Sequence, residues 1–485
     1  MVSTPSRSTQ KAWAKAIGKP AEEFDLTSLS IQTGAIPTGL LGTLYRNGPG
    51  RLERGGKKVG HWFDGDGAVL AVHFRATGAS AVYRYVQTTG YLTEAAQDRF
   101  LYANYGMADP QGVWNFWWRV LTKQDSLKNT ANTSVLALPD RLLALWEGGQ
   151  PHALHLETLK TIGIETLGVL QPTQPYSAHP IRDPLTGEIY SIGVDSQANL
   201  HLYKSDRTGQ IKKQAVIKLD GLPFIHSFAL AGRYLIFFLP PLAMNKLAVL
   251  FGIKSYSHSL EWQAGEGTKI LVVDRETFEI VSRGETDPWF QWHFGNACVE
   301  ADGLVRLDLV RFTDFDRTNE YLREVATGVT HTVANGNLWE VRLDPKTAKI
   351  ISMQTVIDRS CEFPIVAPES IGQPWRYTYL ALERKSVVDG SEFFGAIGCF
   401  DYQTGTLIEA DLGENMYTVE PLYVPDALNP ERGWIVTIVF DGNLERSEVW
   451  IFDADRLNDG PVCRLALPTV IPFSYHGTWH CSVKK

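Results

Sequence analysis

The stretch ILVVDRETFEIV (Ile270–Val281) decides the fold of this chain. Two apolar segments flank the polar turn DRET, and this pattern predicts a β-hairpin. Six further copies of the pattern occur along the chain: AVHFRATGASAVYRYV (Ala71–Val86), LHLETLKTIGI (Leu154–Ile164), LHLYKSDRTGQIKKQAVIKL (Leu200–Leu219), LWEVRLDPKTAKII (Leu338–Ile351), IGCFDYQTGTLIEA (Ile397–Ala410) and VWIFDADRLNDGPVCRLAL (Val449–Leu467). The sequence therefore predicts seven hairpins.

The spacing of these hairpins indicates one architecture. The copies lie roughly 50 to 80 residues apart, about the length of one four-stranded propeller blade with insertions. Amphipathic helical stretches between them are scarce, which disfavours a parallel sheet covered by helices. We therefore predict an all-β fold, a seven-bladed β-propeller with loops and short helices capping one face. Residues 1–30 are predicted to form an N-terminal extension, and residues 31–485 a single propeller domain.

Composition limits the kinds of partner. The formal net charge of -8 argues against a nucleic-acid partner, because there is no basic excess to neutralise phosphates. The five cysteines are scattered and form no C-x-x-C pair, which favours a reducing, cytoplasmic location over a disulfide framework. No secretory signal and no obligate protein partner are evident. The 14 tryptophans are numerous and indicate an apolar binding surface.

Four histidines are candidate metal ligands. They are His179 in PYSAHP, His226 in LPFIHSF, His293 in FQWHFGNA and His476 in PFSYHGTW. A single histidine among apolar residues is more often a hydrogen-bonded core residue than a ligand. Four, each expected on a different blade, shift that balance, because the inner strands of a propeller converge on one axis. Neutral imidazole suits iron, zinc or copper, and the spacing does not choose among them.

Three glutamates lie in apolar runs where a charge is costly to bury. They are Glu147 in LLALWEGGQP, Glu362 in SCEFP and Glu420 in TVEPLYVP. Each either pairs with a buried arginine or backbone amide, or accepts the Nδ1–H of a metal-bound imidazole and fixes its tautomer. The residues alone leave both interpretations open.

An ordered series of motifs resembles the carotenoid cleavage oxygenase family, from about residue 30 to His480. The opening LGTLYRNGPG (Leu41–Gly50) and FDGDG (Phe63–Gly67) are followed by NTANTSV (Asn129–Val135) and ALWEGGQPH (Ala144–His152). The histidine and glutamate motifs then follow in the family's order. Each motif is weak alone, but the ordered set is specific. The likeness is strongest to the cyanobacterial and bacterial branch that includes apocarotenoid oxygenases.

The resemblance implies a site and a reaction. His179, His226, His293 and His476 would hold Fe(2+), and Glu147, Glu362 and Glu420 would accept hydrogen bonds from three of them, leaving His179 without a carboxylate partner. Thr133 matches a threonine whose methyl group partly covers one coordination position in relatives. The implied reaction is cleavage of a C=C bond of a carotenoid or apocarotenoid by O2 to two carbonyl products, at the 9,10 (9',10') or the 15,15' position.

Two positions depart from the pattern of many relatives. Phe294 stands where a second histidine is common, which leaves His293 as the ligand candidate there. Ser227 follows His226 where relatives often carry aspartate, which puts local hydrogen bonding in doubt but not metal binding.

Aromatic residues beside the site motifs are candidate substrate contacts. Trp146, Phe224 and Trp292 are expected to line an apolar tunnel, with core packing as the alternative for each. No phosphate loop, dinucleotide fingerprint or nucleophile elbow is present, which agrees with a reaction that needs no acid–base pair.

Two apolar segments are candidates for peripheral membrane contact. VWNFWWRVL (Val113–Leu121) carries Trp114, Phe116, Trp117 and Trp118 with cations nearby, which suits the lipid headgroup boundary. Leu239–Gly252 is the second segment. The surrounding run Leu235–Ile253 is a poor spanning helix because two prolines and a lysine interrupt it. We expect a buried strand followed by a loop or short helix there.

Two alternative functions remain at this stage. The chain either cleaves stilbene-type phenylpropanoids, which requires polar groups that hold a phenolic ring, or is a non-catalytic propeller that binds lipid.

Overall fold

A computed structural model describes residues 11–122, 127–172, 174–221, 224–245, 254–387 and 392–481. Seven sheets of four or more strands form a seven-bladed β-propeller, as predicted. We number the blades 1 to 7 in the order of their second strands along the chain, and we describe the strands of each blade from the axis outward.

Blade 1 contains His476–Cys481, Gly42–Arg51, Asp66–Arg75, Gly78–Tyr85 and Phe24–Ser28. Blade 2 contains Ser134–Ala137, Leu142–Leu145, His152–Leu154 and Thr161–Ile164. Blade 3 contains Ile181–Arg182, Ile189–Val194, Asn199–Ser205 and Ile211–Lys218. Blade 4 contains Ala229–Ala231, Tyr234–Leu239, Thr268–Asp274 and Ile280–Thr286.

Blade 5 contains Phe290–Val299, Val305–Phe312, Asn337–Asp344 and Lys349–Ile357. Blade 6 contains Cys361–Ile365, Tyr377–Leu382, Ala396–Asp401 and Thr406–Asp411. Blade 7 contains the short strands Met416–Tyr417 and Leu422–Pro425, which both pair with Gly433–Asp441, followed by Arg446–Asp453, Pro461–Ala466 and Ser30–Gly34.

Smaller elements complete the described structure. Two-stranded ribbons pair Glu53–Arg54 with Lys57–Lys58, and Leu242–Met244 with Leu260–Trp262. The α-helices are α1 (Thr89–Gln97), α2 (Val113–Leu121) and α3 (Phe315–Thr327). Short 3₁₀ turns occupy Ala12–Ala16, Trp62–Asp64, Ser257–Ser259, Pro368–Ser370 and Leu457–Asp459.

Each predicted hairpin forms the third and fourth strands of its blade, counted from the axis. A recurring aspartate explains why the pattern repeats. In blade 4, Asp274 accepts hydrogen bonds from the backbone N–H groups of Glu276 and Thr277 at 2.9 and 3.0 Å. Asp206, Asp344, Asp401 and Asp453 accept equivalent bonds at the ends of the corresponding strands. Such turns are encoded locally, so sequence reveals them.

The second strand of blade 4 shows where the core lies. Phe237 packs into the cluster shared with blade 3, whereas the next residue, Phe238, packs into the cluster shared with blade 5. Both side chains are completely buried. Because each blade is covered on both faces by its neighbours, the middle strands read as continuous apolar runs such as YLIFFL rather than as alternating ones.

The ring is closed by strands from the two ends of the chain. His476–Cys481 is the innermost strand of blade 1, where it pairs with Gly42–Arg51. Ser30–Gly34 is the outermost strand of blade 7, where it pairs with Pro461–Ala466. Phe24–Ser28, in the segment predicted to precede the propeller, pairs with Gly78–Tyr85 and so attaches part of that segment to blade 1.

The apolar run near residue 240 begins as expected with a buried strand, Tyr234–Leu239, in blade 4. Residues 246–253, which complete this run and include the second half of the predicted membrane segment Leu239–Gly252, lie outside the described residues. Among the helices that the structure describes, none has the length and apolar character needed to cross a bilayer.

We expect the packing between blades 1 and 7 to be sensitive to truncation of a core side chain. Leu465 is completely buried in the cluster between blades 1 and 7, so Leu465→Ala should lower the free energy of unfolding by about 2 to 5 kcal/mol. Leu444→Ala is the control, because Leu444 is 60% exposed in a turn of the same blade. Urea denaturation followed by circular dichroism measures both. Equal stability of the two variants would contradict the assigned packing of the closure.

Candidate metal centre and substrate cavity

The structure brings the four candidate histidines together at the axis. His179, His226, His293 and His476 each offer one ligand atom, and these atoms all lie within 4.8 Å of one another. They come from blades 3, 4, 5 and 1, respectively. His226 Nε2 and His293 Nε2 are 3.2 Å apart. Residues separated by almost 300 positions in sequence thus form one compact imidazole cluster.

The three candidate glutamates come from the remaining blades and contact the rings from outside. Glu362 Oε2 lies 2.6 Å from His293 Nδ1, and Glu420 Oε1 lies 2.8 Å from His476 Nδ1. Glu147 Oε1 lies 3.2 Å from His226 Nδ1. A carboxylate acceptor at Nδ1 fixes the proton there and leaves Nε2 as the lone-pair donor. Each of the seven blades therefore supplies one member of the cluster.

His179 differs from the other three rings. Its nearest carboxylate oxygen is Glu147 Oε1, 3.6 Å from its Nε2, which is beyond hydrogen-bonding distance. Ser177 Oγ accepts a hydrogen bond from the His179 backbone N–H at 3.1 Å and fixes the chain beside the ring. The buried His179 Nε2 has no hydrogen-bond partner among the described residues.

A backbone irregularity places Glu362. The strand Cys361–Ile365 breaks register between Glu362 and Ile365, and Phe363 adopts a φ of 57°. Positive φ is strained for a non-glycine residue, and such strain clusters at functional sites. The Phe363 ring packs 5.5 Å from both the His293 and His476 rings, so the bulge presents a carboxylate and an aromatic wall to the cluster.

Electrostatics favour the neutral form of two of the four rings, His179 and His476. Burial lowers the pKa of His179 well below its usual value, and the neighbouring His226, His476 and His293 lower it further. Burial also lowers the pKa of His476 to about 4, although Glu420 opposes this shift. Burial alone would raise the pKa of Glu420, but His476 and Arg46 reverse the shift and lower it. Deprotonated imidazoles bordered by carboxylates are the form that binds a metal cation.

This donor set fits a divalent transition metal. Four imidazoles converge. Glu362 and Glu420 accept hydrogen bonds from the Nδ1 atoms of two of them, Glu147 Oε1 lies 3.2 Å from the Nδ1 of a third, and the buried Nε2 of the fourth has no hydrogen-bond partner among the described residues. A buried nitrogen in that state is costly unless something binds it, and a metal ion at the centre of the cluster would do so.

A cavity of about 1420 Å³ opens over the histidine cluster. All three predicted substrate residues, Trp146, Phe224 and Trp292, line it, as does Thr133. The Trp292 ring lies 4.9 Å from the His226 ring, and its Nε1 donates to Thr318 Oγ1 of α3 at 3.0 Å. The Phe224 ring packs 5.8 Å from Trp292. The wall beside the cluster is therefore aromatic and held in place by packing.

Thr133 precedes the innermost strand of blade 2. Its Oγ1 donates to Asn132 Oδ1 at 3.1 Å, and Asn132 Nδ2 donates to the carbonyl oxygens of Phe63 and Gly65 at 2.9 and 2.7 Å. The NTANTSV and FDGDG motifs are thus joined by hydrogen bonds.

Helix α2 contains the four predicted membrane-contacting residues and borders the cavity. Phe116 and Trp117 are half-buried and line the cavity. Trp114 and Trp118 point outward, 87% and 64% exposed. The helix therefore has one face toward the cavity and one exposed aromatic face.

Sequence reasoning missed two buried ionisable residues, one of which contacts Glu420. Arg46 is 1% exposed, and its Nη1 donates to Glu420 Oε2 at 2.8 Å. Asp64 is also 1% exposed, and its Oδ1 accepts a hydrogen bond from the Gly106 N–H at 2.8 Å. Both lie within quoted motifs, LYRNGPG and FDGDG. The two motifs draw attention to these residues, but the sequence does not show that Arg46 pairs with Glu420 or that Asp64 binds the Gly106 N–H.

Comparison with known proteins identifies the family. The family described as "Retinal pigment epithelial membrane protein" matches residues 17–480, nearly the entire chain. The chain belongs to this family, the carotenoid cleavage oxygenases, which confirms the resemblance inferred from its motifs, and it is an enzyme of the dioxygenase type.

Individual relatives refine the comparison. The apocarotenoid-15,15'-oxygenase of Synechocystis is 33% identical over 96% of both chains. Resveratrol cleavage oxygenase 1 of Aspergillus fumigatus is 24% identical over 94% of this chain and 93% of the relative. The crystal structure of a cobalt-substituted Synechocystis ACO superposes with a TM-score of 0.89 at 31% identity, covering 98% of this chain and 99% of the other.

Asp64 is expected to make stability pH-dependent. Burial raises its pKa from 3.8 to about 7, so its contribution to stability is fully present below pH 3.8 and is lost as the pH rises through about 7. Asp64→Asn should remove this dependence. The free energy of unfolding of the wild type, relative to that of the variant, should fall by roughly 2 to 3 kcal/mol between pH 5 and pH 8. Urea titrations at both pH values test this, and a constant difference would contradict it.

Proposed function

We propose that this protein is an Fe(2+)-dependent dioxygenase that cleaves a C=C bond of a carotenoid or apocarotenoid with O2. The observation that carries the proposal is the convergence of His179, His226, His293 and His476 beneath an aromatic cavity. The 33% identity to an apocarotenoid-15,15'-oxygenase favours an apocarotenoid cut at 15,15' over a carotenoid cut at 9,10 and 9',10'. Carotenoid 9,10(9',10')-cleavage dioxygenase 1 of pea, a more distant relative at 25% identity, makes the second position the alternative.

The four histidines would hold the iron through their Nε2 atoms, and the three glutamates would keep the Nδ1 protons in place. A bound ferrous ion would supply the binding and activation of dioxygen. Four neutral ligands leave its 2+ charge to be balanced by Glu147, Glu362 and Glu420, which contact rings rather than the centre. Thr133 lines the cavity and would narrow the space next to the centre.

The cavity walls would position the polyene and exclude water. Phe224 and Trp292 pack together beside His226, and Phe363 packs against His293, so aromatic rings flank the histidines and suit a long, rigid, apolar chain. In the overall reaction the C=C bond and the O–O bond break, and each carbon of the former double bond gains one oxygen atom. The electrons come from the cleaved bond, so no reducing cosubstrate and no acid–base pair are required.

A cation in the described lining of the cavity is already paired and is not available to a phenolate oxygen. Lys128 is the only lysine or arginine among the described residues that line the cavity. Its ammonium group forms ion pairs with Asp66 and, at 2.6 Å, with Glu94. Arg54 also forms an ion pair with Asp66. All four side chains are at most 3% exposed. The cation is therefore neutralised by buried carboxylates.

The exposed face of α2 supports peripheral membrane docking of a cytoplasmic protein. Trp114 and Trp118 project from the helix that borders the cavity, next to the lining residues Phe116 and Trp117. Tryptophan partitions to the lipid headgroup boundary, so a carotenoid would pass from the bilayer directly into the cavity.

Removing one histidine should abolish both iron binding and turnover. We expect His226→Ala to retain the fold, lose most of its iron and cleave apocarotenals at least a hundredfold more slowly. His331→Ala is the control, because His331 is exposed and lies outside the cluster. Metal analysis, oxygen uptake and product identification by mass spectrometry measure the effects on a panel of carotenoids, apocarotenals and resveratrol. Full turnover by His226→Ala would refute the proposed site, and cleavage of resveratrol alone would refute the substrate class.

The docking proposal predicts a selective loss of lipid binding. The double variant Trp114→Ala/Trp118→Ala should float poorly with neutral phosphatidylcholine liposomes, while its activity on detergent-solubilised substrate stays near that of the wild type. The control Leu185→Ala/Leu428→Ala removes two other exposed apolar side chains, 71% and 68% exposed, and should float normally. Unchanged flotation of the tryptophan variant would refute docking through α2.

A further inference from the structure

The cavity wall changes character around the axis. Over blades 4 to 6 it is aromatic, with Phe224, Trp292 and Phe363 against the histidines. Over blades 2 and 3 the lining includes the polar residues Asn129, Gln150, His152, Ser177, Asp195 and Ser196. A uniformly apolar ligand would form no hydrogen bonds with this polar side of the cavity.

Most of these polar groups already have partners within the protein. Asn129 Oδ1 accepts from the Ala131 N–H at 3.0 Å, and its Nδ2 donates to the Gln150 carbonyl oxygen at 2.9 Å. Asp195 Oδ2 accepts from Asn199 Nδ2 at 2.8 Å and from His201 Nε2 at 3.0 Å. Their positions are explained by local structure alone.

His152 is the exception. It is 4% exposed, and neither nitrogen of its ring has a hydrogen-bond partner among the described residues. Its Nδ1 is enclosed by protein, so Nε2 is the nitrogen through which the ring would meet a ligand in the cavity. A buried polar atom left unpaired costs about 1 to 3 kcal/mol, so a residue in this state calls for a ligand. Burial lowers the pKa of His152 to about 4, so the ring is neutral and offers one donor and one acceptor.

Gln150 lies two residues away on the same wall. Its Nε2 donates to the Leu170 carbonyl oxygen at 3.1 Å, which fixes the amide and leaves Oε1 as its free acceptor. The pair thus combines a neutral ring and an amide oxygen, without a cation. Lys128, the only lysine or arginine of the described lining, is bound to Asp66 and Glu94.

The strand register gives the distance of this pair from the axis. His152 is paired with Ala144, and Ala144 with Val135 of the innermost strand of blade 2. At about 4.8 Å per strand, His152 lies roughly 10 Å farther out than Val135. The innermost strand directly follows Thr133 beside the histidine cluster, so the pair is well removed from the reacting bond.

We propose that His152 and Gln150 form a subsite for the hydroxyl or aldehyde oxygen at one end of an oxygenated polyene, with the apolar remainder along the aromatic wall. The inference rests on the proposed function. The subsite would bind an uncharged oxygen. A neutral imidazole and an amide oxygen carry no positive charge that could balance a buried carboxylate. His152 is accordingly a specificity residue, distant from the reacting atoms.

Two matched ligand pairs test the subsite. The first pair is an apocarotenal with and without a ring hydroxyl, and the second is the apocarotenal and the hydrocarbon polyene of equal length. Quenching of tryptophan fluorescence in the metal-free protein gives affinities, and steady-state assays of the iron-loaded protein give kcat and KM. In one of the two pairs, we expect the wild type to bind the oxygenated member about three- to tenfold more tightly, with the difference in KM. It should bind the corresponding apocarotenoic acid more weakly.

Variants assign this preference to His152. His152→Leu should abolish the preference and leave the less oxygenated member of that pair within twofold of the wild type, whereas His152→Gln should retain part of it. Equal wild-type affinity within both pairs, or a preference that His152→Leu leaves intact, would overturn the inference. The comparison of the ligand pairs in the wild type tests the inference even if His152→Leu does not fold. Absence of turnover with every polyene would instead refute the proposed function, and the binding measurements would still test the subsite.

Discussion

The hydrogen-bonded group around Glu420 joins the closure of the ring to the construction of the site. One oxygen of this carboxylate contacts His476 Nδ1, and the other accepts from Arg46 Nη1 and from the Gly477 N–H. Arg46 belongs to the second strand of blade 1, and His476 begins the closing strand of the same blade. The fourth histidine is therefore positioned only when the ends of the chain have met. A buried charge pair is costly to form without its neighbours, which ties closure of the ring to assembly of the cluster.

The same group resolves an ambiguity about the buried glutamates. The sequence allowed either a structural pairing with arginine or an amide, or a hydrogen bond to a ligating imidazole. Glu420 makes both kinds of contact, with Arg46 and with His476. Glu362 also contacts both a ring and a backbone amide, that of Phe363. Glu147, whose side chain is 34% exposed, contacts rings only. The two interpretations are complementary, because a carboxylate must itself be held in place to orient a ring.

The features that sequence predicted are those encoded locally or repeated. Hairpins such as Ile270–Val281 are encoded by an aspartate that caps its own turn, and this signal occurs in five of the seven predicted hairpins. The convergence of the histidines followed from the predicted ring, since each lies near the start of an inner strand. The positive φ of Phe363 and the pairing of Arg46 with Glu420 have no local signature. They depend on register and on contacts between distant segments, which a single sequence does not specify.

The axial cluster and the cavity wall are built from different parts of the fold. The histidines and glutamates lie at the inner ends of blades that neighbouring blades hold on both faces, so little about them is free to vary. The cavity walls come largely from loops and helices above the ring, including α2 and α3, where side chains change without disturbing the blades. Relatives that share this chain's length and family are named for apocarotenoid and resveratrol cleavage. Trp292 and His152 belong to blade strands but also line the cavity, and on the proposed function substrate choice would depend on them as well. On the proposed function, the axial cluster would determine which chemistry is available, and the wall would determine which bond lies above it.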